Sequence, residues 1–157
     1  MRRTSSSLAL GYTSQIEEII RHKQFERKKI LIIDDEEFCL NAMRNNLLFL
    51  KIDVDYQVNF CMNGQEALNL IKMANDAGIF YKVIFSDFNM PVMDGLETVV
   101  KVREMFRDSP FKPNYVGITG YATSKYLDKG LEAGMDEVVS KPLYVDTLRA
   151  LLDKYYY

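Results

Sequence analysis

The sequence has few of the residues that build disulfide-stabilised or zinc-binding proteins. It contains two cysteines, Cys39 and Cys61, and a single histidine, His22, in 157 residues. Two cysteines without a histidine cluster provide neither a disulfide framework nor a zinc site. We therefore expect both cysteines to be reduced core residues of an intracellular protein, because free cysteine behaves as a small hydrophobic residue.

An excess of one charge and long apolar runs are also lacking. The formal net charge is -2, from 20 basic and 22 acidic residues, so no overall field favours nucleic acid or an anionic membrane. No apolar stretch approaches the roughly 20 residues that cross a bilayer. We expect a cytoplasmic protein that binds no nucleic acid and does not insert into membranes.

What is present is enough apolar material for one folded domain. Hydrophobic residues make up 48% of the chain and charged residues 27%, a balance typical of globular proteins. The serine-rich start, residues 1–13, predicts a flexible tail. Ile16, Ile19 and Ile20 lie on one face of a predicted accessory helix that follows. We assign the tail and accessory helix to residues 1–27 and one domain to residues 28–157.

From Lys28 onward, short β-branched runs alternate with helical segments. This alternation predicts an α/β protein with a doubly wound parallel sheet, covered by helices on both faces. The predicted strands are Ile30–Ile33, Asp53–Phe60, Lys82–Ser86, Tyr115–Ile118 and Glu137–Ser140. The predicted helices carry Leu40, Met43, Leu47 and Leu50 in the first, span Gly64–Asn75, Gly95–Arg107 and Thr123–Ala133, and carry Val145, Leu148, Leu152 and Tyr155 in the last.

Polar residues follow four of these strands at the edge where such sheets bind ligands. Asp34 and Asp35 follow the first strand, Asp87 the third, Thr119 the fourth and Lys141 the fifth. Three neighbouring carboxylates would repel one another, so a divalent cation is expected among them, and oxygen ligands favour Mg²⁺. Lys141 and the Thr119 hydroxyl would complete a cradle for an oxyanion. The alternative is that Asp34 and Asp35 only cap the first helix.

Four stretches resemble the receiver domains of two-component response regulators. They are Ile30–Glu36 (ILIIDDE), Asp87–Gly95 (DFNMPVMDG), Ile118–Thr119 and Lys141–Pro142. The likeness covers about residues 28–155. Met135–Asp136 and Ser140–Leu143 are more similar to receivers of hybrid sensor histidine kinases than to those of transcription factors.

The resemblance implies a flavodoxin-like (βα)5 fold with strand order 2-1-3-4-5. It implies that Asp87 accepts a phosphoryl group from a phosphohistidine on a histidine kinase or histidine phosphotransfer protein. Asp34, Asp35, Asp87 and the backbone carbonyl of Asn89 would bind Mg²⁺. Such a domain catalyses only its own phosphorylation and slow dephosphorylation, and is not otherwise an enzyme.

The resemblance also implies how the signal leaves the site. Lys141 would pair with the acyl phosphate, Thr119 would move to hydrogen-bond it, and the face formed by the fourth helix, fifth strand and fifth helix would switch. The Lys141–Pro142 peptide bond is expected to be cis. Val138 stands where receivers usually carry Tyr or Phe, so coupling would be weaker or would use Tyr121 or Tyr144.

Another departure is the long interval between Asp35 and Asp87. We place the extra residues in a loop around Asn75–Tyr81. The aromatic residues Phe80 and Tyr81 mark either a partner surface there or packing at the entrance of the third strand.

Two other functions stay open at this point. One is a scaffold that resembles a receiver but is never phosphorylated, which Val138 keeps in view. The other is a Mg²⁺-dependent phosphatase with an aspartyl-phosphate intermediate, although Asn89 stands where such enzymes place an acid. The domain could be free-standing or part of a longer hybrid kinase.

Overall fold

A computed structural model describes residues 28–121 and 123–157. The predicted tail and accessory helix lie outside these residues. The elements in chain order are β1 (Lys28–Ile33), α1 (Glu37–Phe49), a single helical turn (Val54–Gln57), β2 (Val58–Cys61), α2 (Gly64–Asp76), β3 (Phe80–Asp87), α3 (Gly95–Met105), β4 (Asn114–Thr119), α4 (Ser124–Ala133), β5 (Glu137–Ser140) and α5 (Val145–Tyr155).

The five strands form one parallel sheet in the order β2-β1-β3-β4-β5. This confirms the predicted fold and strand order. The last four residues of β1 are all buried and alternate between the two faces, with Ile30 and Ile32 in one core cluster and Leu31 and Ile33 in the other. Such strands read as continuous apolar runs because helices cover both faces of the sheet.

One core cluster packs under α1 and α5, and the other under α2, α3 and α4. The buried residues of the first pair of helices are Met43, Leu47, Leu148, Leu151 and Leu152, and those of α2 and α3 include Ala67, Ile71, Val99 and Val102. Full burial of each large aliphatic side chain contributes roughly 1.5–3 kcal/mol. The apolar faces predicted for the first and last helices are only partly right. In the last helix Val145 and Tyr155 are half-exposed, and Tyr156, just after it, is buried instead.

The predicted strand Asp53–Phe60 is wrong in its first half, where Val54–Gln57 form the helical turn. The Asp53 side chain accepts a hydrogen bond from the Tyr56 N–H at 3.3 Å, and Gln57 Oε1 accepts one from the Asp53 N–H at 3.1 Å. Gln57 is in turn held by the Tyr156 hydroxyl, 2.7 Å from its Nε2. These local side-chain bonds offer the backbone an alternative to the sheet, which overrides the β-propensity of the valines.

The predicted long loop around Asn75–Tyr81 is also wrong, because α2 continues to Asp76 and β3 already begins at Phe80. Tyr81 is buried and its hydroxyl donates to Asn59 Oδ1 at 2.9 Å. The ring of Phe80 stacks on Phe111 with centroids 5.8 Å apart. Packing, and not an exposed loop, therefore accounts for these aromatics. Within the described residues, no helix is both long and apolar enough to cross a membrane.

Candidate functional site

The carboxyl ends of four strands bring the predicted polar residues to one edge of the sheet. Asp34 follows β1 directly, Asp87 ends β3, Thr119 ends β4 and Lys141 follows β5. The register aligns Asp87 with Ile118, and the Lys141 N–H donates to the Thr119 carbonyl at 2.8 Å. Parallel pairing therefore places residues that are far apart in sequence at a common level.

The turn between β1 and α1 holds Asp34 in place. Its N–H donates to the Cys61 carbonyl at 3.1 Å, and its Oδ1 accepts from the Glu36 N–H at 2.9 Å. α1 begins at Glu37, and its N-cap is Glu36, which makes no side-chain cap bond. The interpretation that Asp34 and Asp35 merely cap the first helix is therefore wrong.

The three aspartates form one acidic cluster. Asp34, Asp35 and Asp87 offer carboxylate oxygens that all lie within 4.8 Å of one another. Asp34 and Asp87 are each only 6% exposed. Lys141 Nζ lies 3.0 Å from Asp34 Oδ2 and 3.1 Å from Asp87 Oδ2. Three carboxylates against one ammonium leave an excess of negative charge, and hard oxygen ligands in this arrangement fit Mg²⁺.

Burial and neighbouring charges together shift the pKa values within this group. Burial raises the pKa of Asp87, and the hydrogen bond and charge of Lys141 offset this only in part, while Asp34 raises it further. Burial lowers the pKa of Lys141, but hydrogen bonds and charge from both Asp34 and Asp87 outweigh it and raise the net value. Lys141 is therefore a permanent cation, shared between two carboxylates that compete for it.

Thr119 and Asn89 border the cluster without joining it. The Thr119 side chain is fully buried, and its Oγ1 accepts from the Tyr121 N–H at 3.0 Å. Within the described part of the chain, no hydrogen bond joins that hydroxyl to Asp87 or Lys141. The exposed Asn89 places its N–H 3.4 Å from Asp87 Oδ1. A metal-ligand role for the Asn89 carbonyl stays a prediction.

The loop after Asp87 depends on close approach at Gly95. The Gly95 N–H donates to the Phe88 carbonyl at 2.9 Å, and a Cβ here would collide with the Asp87 carbonyl oxygen. Asp94 caps α3 by accepting from the Glu97 N–H at 2.8 Å, as expected for residues that start the next helix. The Lys141–Pro142 peptide bond is cis, as predicted.

The sequence-based prediction for Cys39 misses its position. Cys61 is buried as expected, but Cys39 is only half-buried and its Sγ lies 3.8 Å from Lys141 Nζ. Burial, together with the charge of Asp34, raises the pKa of the Cys39 thiol. It is therefore a neighbour of the acidic cluster and not a core residue.

Beside Cys39 runs an apolar groove between α1 and the connection from β5 to α5, which we call the α1 groove. Its lining includes Phe38, Cys39, Ala42, Pro142 and Leu143, and it is continuous with the acidic cluster through Asp34 and Lys141. Phe38 is 82% exposed. The sequence holds one signal for this groove, since Phe38 is a large aromatic outside the buried stripe of α1.

Comparison with known families gives one match over most of the chain. A family model described as the response regulator receiver domain matches residues 30–153. Among curated proteins, the chain is 35% identical over 130 residues to the Hybrid signal transduction histidine kinase A of Dictyostelium discoideum. It is 33% identical over 129 residues to the Sensor protein EvgS of Escherichia coli strain K12. Each alignment covers 82% of this chain, but only 6% and 10% of those relatives' own length.

Solved structures show the same fold. The chemotaxis protein CheY4 of Vibrio cholerae superposes with a TM-score of 0.67 at 27% identity, covering 82% of this chain and 98% of that one. The receiver domain of Ssk1 from Saccharomyces cerevisiae, crystallised with the histidine phosphotransfer protein Ypd1, gives a TM-score of 0.70 at 23% identity. This superposition covers 81% of this chain and 87% of the Ssk1 receiver domain, and at this identity it shows a likeness of fold alone.

Proposed function

The chain belongs to the response regulator receiver domain family, and we propose that Asp87 is the residue on which it accepts a phosphoryl group. The domain is a signalling module of phosphorelay systems and not an enzyme with a diffusing substrate. The observation that supports Asp87 is the cluster around it. Asp87 is a nearly buried carboxylate beside one cation, Lys141, in a group of side chains with more negative than positive charge.

The transfer itself needs little covalent chemistry from the protein. A carboxylate oxygen of Asp87 attacks the phosphorus of a phosphohistidine, and the new O–P bond forms as the P–N bond breaks. The imidazole nitrogen leaves with the bonding electron pair and takes a proton from water. Lys141 Nζ, already 3.1 Å from Asp87 Oδ2, stabilises the negative charge of the transferred group, because a preorganised cation in a partly buried site acts without solvent reorganisation.

The acidic cluster fits a divalent cation at the same place. Asp34, Asp35, Asp87 and the Asn89 carbonyl would hold Mg²⁺, which when bound supplies positive charge to the phosphoryl oxygens. The protein's own contribution is to hold two of these carboxylates nearly buried and to fix Asp34 through the Glu36 N–H. Bringing carboxylates together costs free energy that a cation would recover.

Two further steps belong to this proposal. After transfer, the Thr119 hydroxyl leaves the Tyr121 N–H and bonds to a phosphoryl oxygen, and the face formed by α4, β5 and α5 changes its population of states. Slow self-catalysed dephosphorylation returns the domain to its resting state. We place the domain at residues 28–157 and in the cytoplasm, either free-standing or within a longer hybrid-kinase chain.

The phosphodonor that we propose is a phosphohistidine protein that docks in the α1 groove. The groove is apolar and partly open, and it ends at Asp34 and Lys141, so a partner seated there brings its histidine to Asp87. Phe38, which projects into solvent, provides a contact that an apolar partner surface would cover.

Mass spectrometry tests the acceptor. Incubation with Mg²⁺ and acetyl phosphate should add one phosphoryl group, an adduct of about 80 Da. Asp87→Asn should abolish the adduct, EDTA should slow its formation, and Asp128→Asn, an exposed aspartate of α4, should leave it unchanged. An adduct that persists in Asp87→Asn would refute this acceptor, and no adduct with either acetyl phosphate or a phosphohistidine donor would favour the scaffold interpretation.

A matched pair of exposed phenylalanines tests the docking surface. Phe38→Ala should slow transfer from a histidine phosphotransfer protein by about tenfold or more, the effect expected for loss of a central apolar anchor, and should leave phosphorylation by acetyl phosphate unchanged. Phe111 is 66% exposed at the opposite end of the sheet. Phe111→Ala should therefore change neither rate. Equal effects of the two substitutions would contradict the α1 groove as the docking site.

A further inference from the structure

The residue that follows the proposed acceptor occupies the space between β4 and α4. Phe88 is 2% exposed. Its ring fills room left by two glycines, since a Cβ at Gly130 would lie 2.8 Å from Phe88 Cζ and a Cβ at Gly117 would collide with Phe88 Cε1. The side chains of Met135, before β5, and Val138, on β5, border the same two glycines. Displacement of the Phe88 ring toward either glycine would press on the backbone of β4 or α4, because packed interiors resist compression.

From Phe88 a series of aromatic rings leads to the surface. The Phe88 centroid lies 6.4 Å from that of Tyr126 on α4, and Tyr126 stacks on Tyr121 with centroids 5.5 Å apart and planes 22° from parallel. Tyr126 is half-buried and Tyr121 is 59% exposed. Both separations lie in the range where aromatic rings attract one another.

The outer ring returns to the site through its backbone. The Tyr121 N–H is the group that the Thr119 hydroxyl binds at 3.0 Å. The inner ring is tied to the same strand, because the Phe88 N–H donates to the Ile118 carbonyl at 3.2 Å. Tyr126 is therefore connected to the site by two routes. One leads from Asp87 through the adjacent ring of Phe88, and the other leads from Thr119 through Tyr121.

We propose that Phe88, Tyr126 and Tyr121 form an aromatic relay that couples phosphorylation of Asp87 to the position of the first half of α4. The inference rests on the proposed function, and it assigns to these three residues the coupling that Val138 on β5 does not provide. When the Thr119 hydroxyl turns to the phosphoryl group, the Tyr121 N–H loses its acceptor and the Tyr121 ring shifts on Tyr126. Because Phe88 is fixed between Gly117 and Gly130, the displacement is taken up by α4 and not by the sheet.

Hydrogen exchange of the α4 segment tests the relay. The full chain is loaded with Mg²⁺ and beryllium fluoride, which mimics the phosphoryl group, and exchange of Ser124–Ala133 is followed by mass spectrometry. In the parent protein we expect loading to change exchange there by about threefold or more, as for a local opening whose equilibrium shifts. Tyr126→Leu should abolish this change, yet form the acetyl phosphate adduct at a rate within about twofold of the parent.

Two more variants complete the test. Tyr121→Ala removes a largely exposed ring and should abolish the α4 response as Tyr126→Leu does. Tyr144→Leu, which replaces a tyrosine 68% exposed outside the relay, should keep it. The relay is refuted by a normal response in Tyr126→Leu and Tyr121→Ala, by loss of the response in Tyr144→Leu as well, or by a parent that forms the adduct without any change in α4. A parent that forms no adduct would instead refute the proposed function on which the relay rests.

Discussion

Charged side chains gather at both ends of the sheet, and only one end is balanced. At the carboxyl end, Asp34, Asp35 and Asp87 share a single Lys141. At the amino end, Arg103 donates three hydrogen bonds of 2.8 Å, to the Gly134 carbonyl, the Pro113 carbonyl and Asp136 Oδ2. Asp136 Oδ2 also accepts from the Tyr115 N–H at 2.7 Å.

The two ends differ in whether their charges are fully paired. Arg103 donates from Nε, Nη1 and Nη2 to two carbonyl oxygens and one carboxylate, so it joins α3, the end of α4 and the starts of β4 and β5. Lys141 meets two carboxylates and leaves negative charge uncompensated, which is unfavourable for folding and would be relieved by added positive charge. Substitutions at the two ends should therefore separate stability from phosphorylation.

The largest effect is expected for Lys141→Met. Loss of the cation should lower the rate of adduct formation from acetyl phosphate by about 10²–10³-fold, as for other preorganised groups that stabilise transition-state charge. Lys154→Met, which removes an exposed lysine bonded to Glu137, is the matched control and should leave the rate unchanged. A decrease of less than tenfold in folded Lys141→Met protein would contradict the role of Lys141.

Arg103→Met should affect stability and not phosphorylation. It deprives two carbonyls and Asp136 of their charged donor, which should lower the free energy of unfolding by about 2–3 kcal/mol in urea titrations. The folded variant should form the adduct at the parent rate. Arg103→Lys keeps the charge without the planar fork and should recover less than half of the loss. An unchanged urea midpoint in Arg103→Met, or a lower rate of adduct formation, would contradict the proposed difference between the two ends of the sheet.

A smaller, pH-dependent effect is expected for Asp87→Asn in metal-free buffer. The folded-state pKa of Asp87 is raised above its unfolded value, chiefly by burial, so ionisation of Asp87 opposes folding. The parent should lose stability relative to the variant as the pH rises from the unfolded pKa through the folded one. At neutral pH the variant should be the more stable, and the two should converge in acid.

Urea midpoints measured across this pH range in EDTA test that sign, and added Mg²⁺ should stabilise the parent and not the variant. If Asp87→Asn were less stable than the parent at neutral pH, Lys141 would compensate the buried charge of Asp87 in full.

The smallest effect is expected for an ordinary surface pair. Lys101 Nζ lies 3.7 Å from Glu97 Oε1 one turn away on α3, with both side chains about half exposed. Lys101→Ala should change the free energy of unfolding by no more than about 0.5 kcal/mol and should leave the adduct rate unchanged. A change as large as that of Arg103→Met would mean that exposed ion pairs contribute as much to the free energy of unfolding as Arg103 does. The stability effect of Arg103→Met would then not distinguish the amino end of the sheet from its ordinary surface.

Much of the fold and the outline of the site are predictable from the sequence. Buried parallel strands must be apolar on both faces, so Ile30–Ile33 stands out, and the aspartates that follow it mark where the strand leaves the core. The same logic places Asp87, Thr119 and Lys141 at one edge, and the structure brings Asp34, Asp35, Asp87 and Lys141 into contact range. Local pattern suffices for these because each depends on where one strand ends.

Other features depend on tertiary distances that no local pattern contains. The helical turn that replaces part of a predicted strand is supported by local bonds of Asp53 and Gln57 and also by Tyr156, far along the chain, whose hydroxyl accepts from Gln57 Nε2. Cys39 has the pattern of a core residue, and it is the packing of the connection from β5 to α5 against α1 that places Lys141 Nζ 3.8 Å from its sulfur.

The sequence alone determined the doubly wound parallel sheet and the set of charges at its edge, because these follow from where apolar runs begin and end, and the resemblance to receiver domains implied the strand order. Only the tertiary structure decided that Thr119 bonds to the Tyr121 N–H and that Phe88 fills the space beside Gly117 and Gly130. The physical reason is that a hydrogen bond or a packed ring depends on the volume left between elements, and that volume exists only once β4, α4 and β5 have come together.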